Sequence, residues 1–185
     1  KLGMIAESFR DWGRACWCEP GKDNTCGKRF DYDYDHKMTY ARIGYNLKVN
    51  DFAAAVGVAQ MDRLEGFVQK RRENWQYLYD GLKDLPIEIV RAAPNSEPSW
   101  FGFAFLTDRR NELARYLDAN GVGNRPCMGG CLPRQPAYRN VEYQVIGNLD
   151  GANRIHENAL WLGCFPGINS EMLDYVIDTM RKFYK

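Results

Sequence analysis

Apolar residues Leu2, Ile5, Phe9 and Trp12 recur at three- and four-residue steps, which predicts a helix over residues 1–13. No Ser, Thr, Asp or Asn precedes it to serve as a cap, so it reads as a helix already under way and points to further sequence upstream. Residues 16–50 hold no sustained period and are punctuated by Pro20, Gly21, Gly27 and Gly44. A stretch of that length inside a packed domain either carries function or is held by something else. Asn50 or Asp51 can cap the next helix, in which Val56, Leu64, Phe67, Val68, Trp75, Leu78 and Leu82 mark one face down to Pro86. This predicts one long helix over residues 51–85. Burying such a helix normally takes a large sheet, so the chain alone is expected to expose an apolar stripe and self-associate.

Beyond Pro86 the period changes. Residues 87–90 and 100–106 are short runs rich in β-branched and aromatic side chains, separated by Pro94-Asn95-Ser96-Glu97-Pro98, and are predicted as strands. A helix over 109–120 closed by Gly121, a third strand within 122–126, and helices over 151–161 and 170–183 complete a small α+β layer domain. The pattern divides the chain into residues 1–50, a connecting helix 51–86, and a C-terminal domain 87–185.

Composition narrows the classes. With 185 residues, 45% hydrophobic and 26% charged, the chain can bury one core and a small second unit, which excludes disordered and fibrous proteins. A formal net charge of +1 supplies no whole-protein field for nucleic acid or an anionic membrane. No apolar run approaches the roughly 20 residues of a membrane span, and no signal-peptide pattern opens the chain. A soluble, cytoplasmic protein with neither nucleic-acid nor membrane partners is the expectation.

Three of the six cysteines, Cys16, Cys18 and Cys26, form C-x-C-x7-C on the irregular stretch. Thiols so spaced can converge on one metal centre with a fourth ligand from elsewhere, and soft thiolates select zinc, copper(I) or an iron-sulfur cluster. Arg14, Lys22, Lys28 and Arg29 surround them, and nearby positive charge lowers a thiol pKa toward the ligand form. Reduced cysteines with no ligand role are the alternative. Asn46, before the long helix, suits an anion such as a phosphate near free backbone N–H groups, or else a plain turn. His156 falls within a helical pattern and reads as structural, whereas His36 lies in the polar loop and fits either a structural or a chemical role. Arg134 and Gln135 sit in a Gly/Pro-rich loop, where a guanidinium suits phosphate or carboxylate but surface arginine is the commoner explanation. Cys127 and Cys131 make a weak zinc half-site.

Taken together, Glu7-Ser8-Phe9-Arg10-Asp11-Trp12-Gly13-Arg14, the C-x-C-x7-C run, Tyr34-Asp35-His36-Lys37, Gly44-Tyr45-Asn46-Leu47-Lys48, Pro98-Ser99-Trp100-Phe101-Gly102-Phe103 and Arg134-Gln135-Pro136 resemble the C-terminal portion of the CDP-4-keto-6-deoxyglucose 3-dehydrases. These belong to the DegT/DnrJ/EryC1/StrS sugar-aminotransferase-like group. The resemblance implies an α/β chain from the C-terminal part of the aspartate-aminotransferase fold (fold type I): the end of a large cofactor domain, a long helix and a small α+β domain. It also implies removal of the C3 hydroxyl of a CDP-hexulose toward the 3,6-dideoxyhexoses of lipopolysaccharide. In that family pyridoxamine phosphate condenses with the 4-keto sugar, a His in place of the usual Lys moves the proton, and a 2Fe-2S cluster relays electrons from a flavin/iron-sulfur reductase.

Carried over by position, Cys16, Cys18 and Cys26 match three cluster ligands, the fourth cysteine falling upstream. Asn46 matches an Asn that reaches the pyridoxal-type cofactor's phosphate across a homodimer, and Arg134 and Gln135 match a substrate-side loop. No catalytic residue falls within the chain, so on its own it should not turn over. The loop before Tyr34 is shorter than in the family, and Gly130-Cys131 stands where Gly-Asn is expected. The other reading is a stand-alone interaction module with an empty or zinc-filled thiol site.

Overall fold

The computed structural model describes all residues except 20, 21, 23, 30, 32 and 33, and it divides into two units, Lys1–Asp62 and Arg63–Lys185. In the first unit, α1 spans Leu2–Arg10. It ends three residues before the predicted boundary because Trp12 and Gly13 turn into the left-handed region (φ 61° and 85°), and Gly13 N–H closes on Ser8 O at 2.7 Å as the long bond of a Schellman cap. Trp12 therefore leaves the helical face assigned to it.

The chain past Gly13 runs alongside residues 39–47. Trp12 N–H donates to Tyr45 O (3.0 Å), Ala15 N–H to Thr39 O (2.8 Å), Ala41 N–H to Gly13 O (2.8 Å) and Tyr45 N–H to Phe9 O (2.7 Å). Two antiparallel bridges, Asp11 with Asn46 and Arg14 with Tyr40, mark this approach. Among the described residues of the irregular stretch one 3-10 turn forms, His36–Met38.

The long helix predicted over 51–85 is two helices. α2, Asp51–Met61, is capped by Asn50, whose side chain accepts from Ala53 N–H, and α3 begins at Leu64 and ends at Leu82. At Arg63, φ −103° and ψ −6° tilt the peptide out of line with the i→i−4 ladder. The two halves also lack a common stripe: α2 buries no residue, and Phe52, Val56, Val58 and Met61 lie exposed along it, while α3 buries Asn74, Leu78 and Leu82.

The second unit is built on a four-stranded antiparallel sheet in the order β1-β2-β4-β3, with β1 Glu88–Ile89, β2 Gly102–Leu106, β3 Asn124–Pro126 and β4 Ala159–Gly163. Phe103 pairs with Leu162 and Phe105 with Leu160, which brings four fully buried side chains onto one face. Leu78 and Leu82 of α3, Leu113 and Leu117 of α4 (Arg110–Ala119), and Leu173 and Met180 of α6 (Ser170–Phe183) join that core. Gly81 lets α3 and α6 come close, since a Cβ there would sit 2.4 Å from Ile177 Cδ1.

The helix predicted over 151–161 is also corrected. α5 occupies Asp150–Asn158, and residues from Ala159 onward form β4, the strand between β2 and β3. A short apolar run such as Ala-Leu-Trp-Leu fits a buried strand or a helix equally by period, and here flanking strands on both sides satisfy its backbone. Among the described residues no helix is long and apolar enough to cross a membrane.

Candidate functional site

The hydrogen bonds that lay residues 11–15 along 39–47 deliver Cys16 and Cys18 to the 3-10 turn at His36. Asp35 anchors that turn. One of its carboxylate oxygens accepts from Lys37 N–H and the other from Arg29 Nε, both at 2.9 Å, and the Lys37 amide, followed by the Arg29 guanidinium, holds the carboxyl below the usual range. Cys26 comes from the opposite side on a turn in which Asn24 (φ 50°) and Gly27 (φ 68°) take left-handed conformations, and Arg29 N–H donates to Asn24 Oδ1 at 3.1 Å.

The three thiols and the imidazole thus meet. Cys18 Sγ lies 3.5 Å from Cys26 Sγ, Cys26 Sγ lies 3.3 Å from His36 Nδ1, and Cys18 Sγ lies 4.0 Å from His36 Nε2. The ligand atoms of Cys16, Cys18 and His36 all fall within 4.8 Å of one another. His36 is fully buried, while the three cysteines are half-buried and reduced.

Electrostatics separate the thiols. Burial raises the Cys16 thiol, whereas the Cys26 backbone N–H, with smaller help from the Cys26, Thr25 and Cys16 side chains, brings Cys18 down to about 7. Cys164, packed in the core of the second unit with its thiol against Trp100 O, is pushed by burial up to about 11. In the metal-free chain, iodoacetamide at pH 7.5 is expected to label Cys18 far faster than Cys164, with the Cys18 rate falling on acidification through pH 7. Peptide mapping with equal labelling of the two would refute this ordering.

Asn46 is not at a helix N-terminus. It lies exposed on the extended segment opposite Asp11, and the free N–H groups of α2 belong to Asn50. Its side-chain amide makes no hydrogen bond among the described residues.

Arg134 ends a short 3-10 turn beyond β3, Leu132–Arg134, Gln135 is the extended residue joining it to the next, Pro136–Tyr138, and both side chains are committed internally. Arg134 donates to Glu157 Oε1 (2.6 Å) and Asn153 Oδ1 (3.3 Å), and Gln135 donates to Gly129 O (2.7 Å). His156 holds the same loop by accepting Cys131 N–H at Nδ1 (3.2 Å), the structural role expected of it. Gly130 (φ 58°) faces the ring so closely that a Cβ would stand 2.6 Å from Nδ1. His156→Ala should cost about 1–3 kcal/mol by orphaning the buried Cys131 amide, against under about 1 kcal/mol for Arg134→Ala, which breaks a half-exposed ion pair. Urea midpoints in the reverse order would show that the loop hangs on Arg134 instead.

Solved structures of sugar aminotransferase-fold enzymes match the fold of this chain along nearly its whole length. E. coli GDP-4-keto-6-deoxy-D-mannose-3-dehydratase, solved with bound hydrated PLP, superposes with a TM-score of 0.77 at 27% identity, over 95% of this chain and 46% of that one. The model of the DegT/DnrJ/EryC1/StrS aminotransferase family matches residues 16–181, and the chain belongs to that family. It is 44% identical over 198 aligned positions to the lipopolysaccharide biosynthesis protein RfbH of Salmonella typhimurium, covering all of this chain and 45% of that protein. It is 41% identical to the dTDP-4-dehydro-2,6-dideoxy-D-glucose 3-dehydratase of Saccharopolyspora spinosa, over 99% of this chain and 42% of the relative. The chain therefore spans less than half the length of the curated relatives it matches. The 198 positions exceed its 185 residues, so RfbH carries insertions relative to it.

Proposed function

We propose that this chain is the C-terminal segment of a nucleotide-sugar 3-dehydrase that removes the C3 hydroxyl of a CDP-4-keto-6-deoxyhexose, depends on pyridoxamine phosphate and a 2Fe-2S cluster, and works as a cytoplasmic homodimer fed by a flavin/iron-sulfur reductase. The observation that carries the reading is the gathering of Cys16, Cys18 and Cys26. Transamination moves electron pairs and gives a thiolate site nothing to do, whereas reductive deoxygenation by single electrons requires a relay. Kinship with two 3-dehydratases supports the same choice within the family.

Each part of the chain has a place in this reading. The cysteine donor set fits an iron-sulfur group, since thiolates are its usual ligands, and such a group supplies one-electron transfer when bound. The free amide of Asn46 fits the phosphate of a pyridoxal-type cofactor held mainly by residues outside this chain; when bound, that cofactor supplies the amine and the conjugated ring that activate a keto sugar. Arg134 and Gln135 stiffen the substrate-side loop through Glu157, Asn153 and Gly129, and act on substrate by holding that loop.

The test is to read the frame upstream of Lys1 and assay its whole product with the CDP-4-keto sugar, pyridoxamine phosphate and a reductant. A fourth cysteine, a cofactor-segment His and a product lacking the C3 hydroxyl are expected; a cofactor-binding Lys and glutamate-dependent amination would overturn the reading. The 4.8 Å spread of the donor atoms favours a second reading, a module carrying one tetrahedral ion.

A further inference from the structure

In the second unit, α3 and residues 91–100 enclose a cleft of about 420 Å³ with an aromatic floor. Trp75 and Trp100 form that floor, half-buried, their ring centroids 5.1 Å apart and their planes inclined at 46°. Trp75 stacks in turn on Tyr79, with centroids 5.5 Å apart and planes within 10°. Tyr79 carries Arg91, whose guanidinium carbon lies 4.6 Å from the ring centroid and whose Nη1 donates to the phenol oxygen. The facing wall is fastened by Arg72, which donates from Nη2 to Glu97 O (2.6 Å) and from Nε to Pro98 O (3.4 Å). Both walls are therefore held by contacts of the chain itself, as in a site formed before its ligand arrives.

The lining narrows the ligand. A volume of this size falls within the roughly 300–1,000 Å³ of small-molecule sites. An acyl chain would suit the indoles and strip water from Arg91 without replacing it, and a sugar phosphate would suit Arg91 and leave the indoles unused. A planar base joined to phosphates satisfies both, since bases stack on indole rings and guanidinium groups pair with oxyanions. Gln76 commits Nε2 to Asp80 Oδ2 at 3.0 Å, so its Oε1 is the atom left to accept an exocyclic amine. Glu97, exposed at the rim and only 3.7 Å from Arg72 Nη1 in a weak pair, can accept from ribose hydroxyls.

We infer that this cleft binds a nucleoside diphosphate, with the base against Trp75 and Trp100 and the phosphates on Arg91, while Arg72 positions the wall. The inference stands on the second unit alone, so its failure would leave the reading of the thiol loop untouched.

The experiment titrates the 185-residue chain with CDP, dTDP and GDP, and with inorganic pyrophosphate and ribose 5-phosphate as probes lacking a base. One nucleotide per chain is expected by calorimetry, with the two baseless probes binding far more weakly. The chain has five tryptophans, and in the fluorotryptophan-labelled protein the fluorine resonances of Trp75 and Trp100 should move. Those of Trp12, Trp17 and Trp161, assigned through single Trp→Phe variants, should stay. Arg91→Glu should weaken CDP binding on the order of tenfold or more, with Arg91→Lys intermediate. Arg115→Glu, the same change of charge at an exposed position of α4, should leave binding unchanged. CDP-glucose separates the two sources of such a ligand: affinity equal to that of CDP assigns the cleft to the nucleotide end of a sugar nucleotide, and markedly weaker binding assigns it to the free nucleotide.

Pyrophosphate binding as tightly as CDP would overturn the inference in favour of an anion contact alone. Absence of binding at millimolar nucleotide, resonance shifts confined to the other three tryptophans, or wild-type affinity in Arg91→Glu would each overturn it as well.

Discussion

Replacing Phe103 by Ala is expected to lower the stability of the second unit by about 3–5 kcal/mol, the range for deleting a fully buried aromatic ring from a core that relaxes only partly. Phe103 lies at the centre of β2, pairs with Leu162 of β4, and is 0% exposed. Its ring centroid lies 5.7 Å from that of Trp75 and 6.2 Å from that of Phe105, so truncation removes contacts to both α3 and the strand as well as apolar area. With a total folding stability for a small domain of only about 5–15 kcal/mol, this loss leaves little margin. Urea unfolding followed by far-ultraviolet circular dichroism should show the midpoint fall by at least about a fifth of its wild-type value. A loss below about 1 kcal/mol would mean that the sheet's buried face is not the main core. The double variant Phe103→Ala/Leu162→Ala should cost less than the sum of the two single changes, because the two residues face each other across β2 and β4.

The buried strand β2 was legible because its aromatic and aliphatic residues alternate with small ones between turn signals, and α4 and α6 because their apolar periods end at recognisable caps. β4 was not. Ala159-Leu160-Trp161-Leu162 follows a true helix without a break residue, and only the free edges of β2 and β3 decide that it extends. The break at Asp62 and Arg63 was equally hidden, since neither residue is a helix breaker and the apolar run continues through it. Periodicity reports which residues want burial, not which surface will bury them.

The site divides along the same line. Cys16, Cys18 and Cys26 announced themselves by spacing, because thiols close in sequence can be gathered by one loop. His36 had no such mark: it lies ten positions beyond Cys26, and it comes beside the thiols only because residues 39–47 fold back along residues 11–15. Its signal was weak but present, an Asp-His pair in the one polar stretch that also holds the thiols. Arg134 and Gln135 show the converse, since composition of the loop pointed to an anion, while their nearest partners are Glu157, Asn153 and a carbonyl of their own loop.

Gly13→Ala is expected to take apart the first unit's loop with the cysteines themselves untouched. Gly13 sits at φ 85°, a conformation that costs an ordinary residue about 1–2 kcal/mol. A Cβ at this position would also stand 1.8 Å from Arg42 O, with Gly44 N at 3.2 Å. Backbone, unlike a side-chain tip, cannot swing away, so overpacking adds about 1–3 kcal/mol. Gly44 faces it from the other strand, where a Cβ would meet Gly13 N at 2.2 Å, and Gly44→Ala should act alike. What the pair of glycines permits is the close run of bonds from Trp12, Ala15, Ala41 and Tyr45, and that run carries Cys16 and Cys18 to His36. Hydrogen exchange should therefore show those four amides losing protection in Gly13→Ala, while the amides of β2 and β4 keep theirs. Retained protection at Ala15 and Tyr45 would mean that the two segments can part by a few tenths of an ångström without separating, and that the site's geometry is set by the 3-10 turn alone.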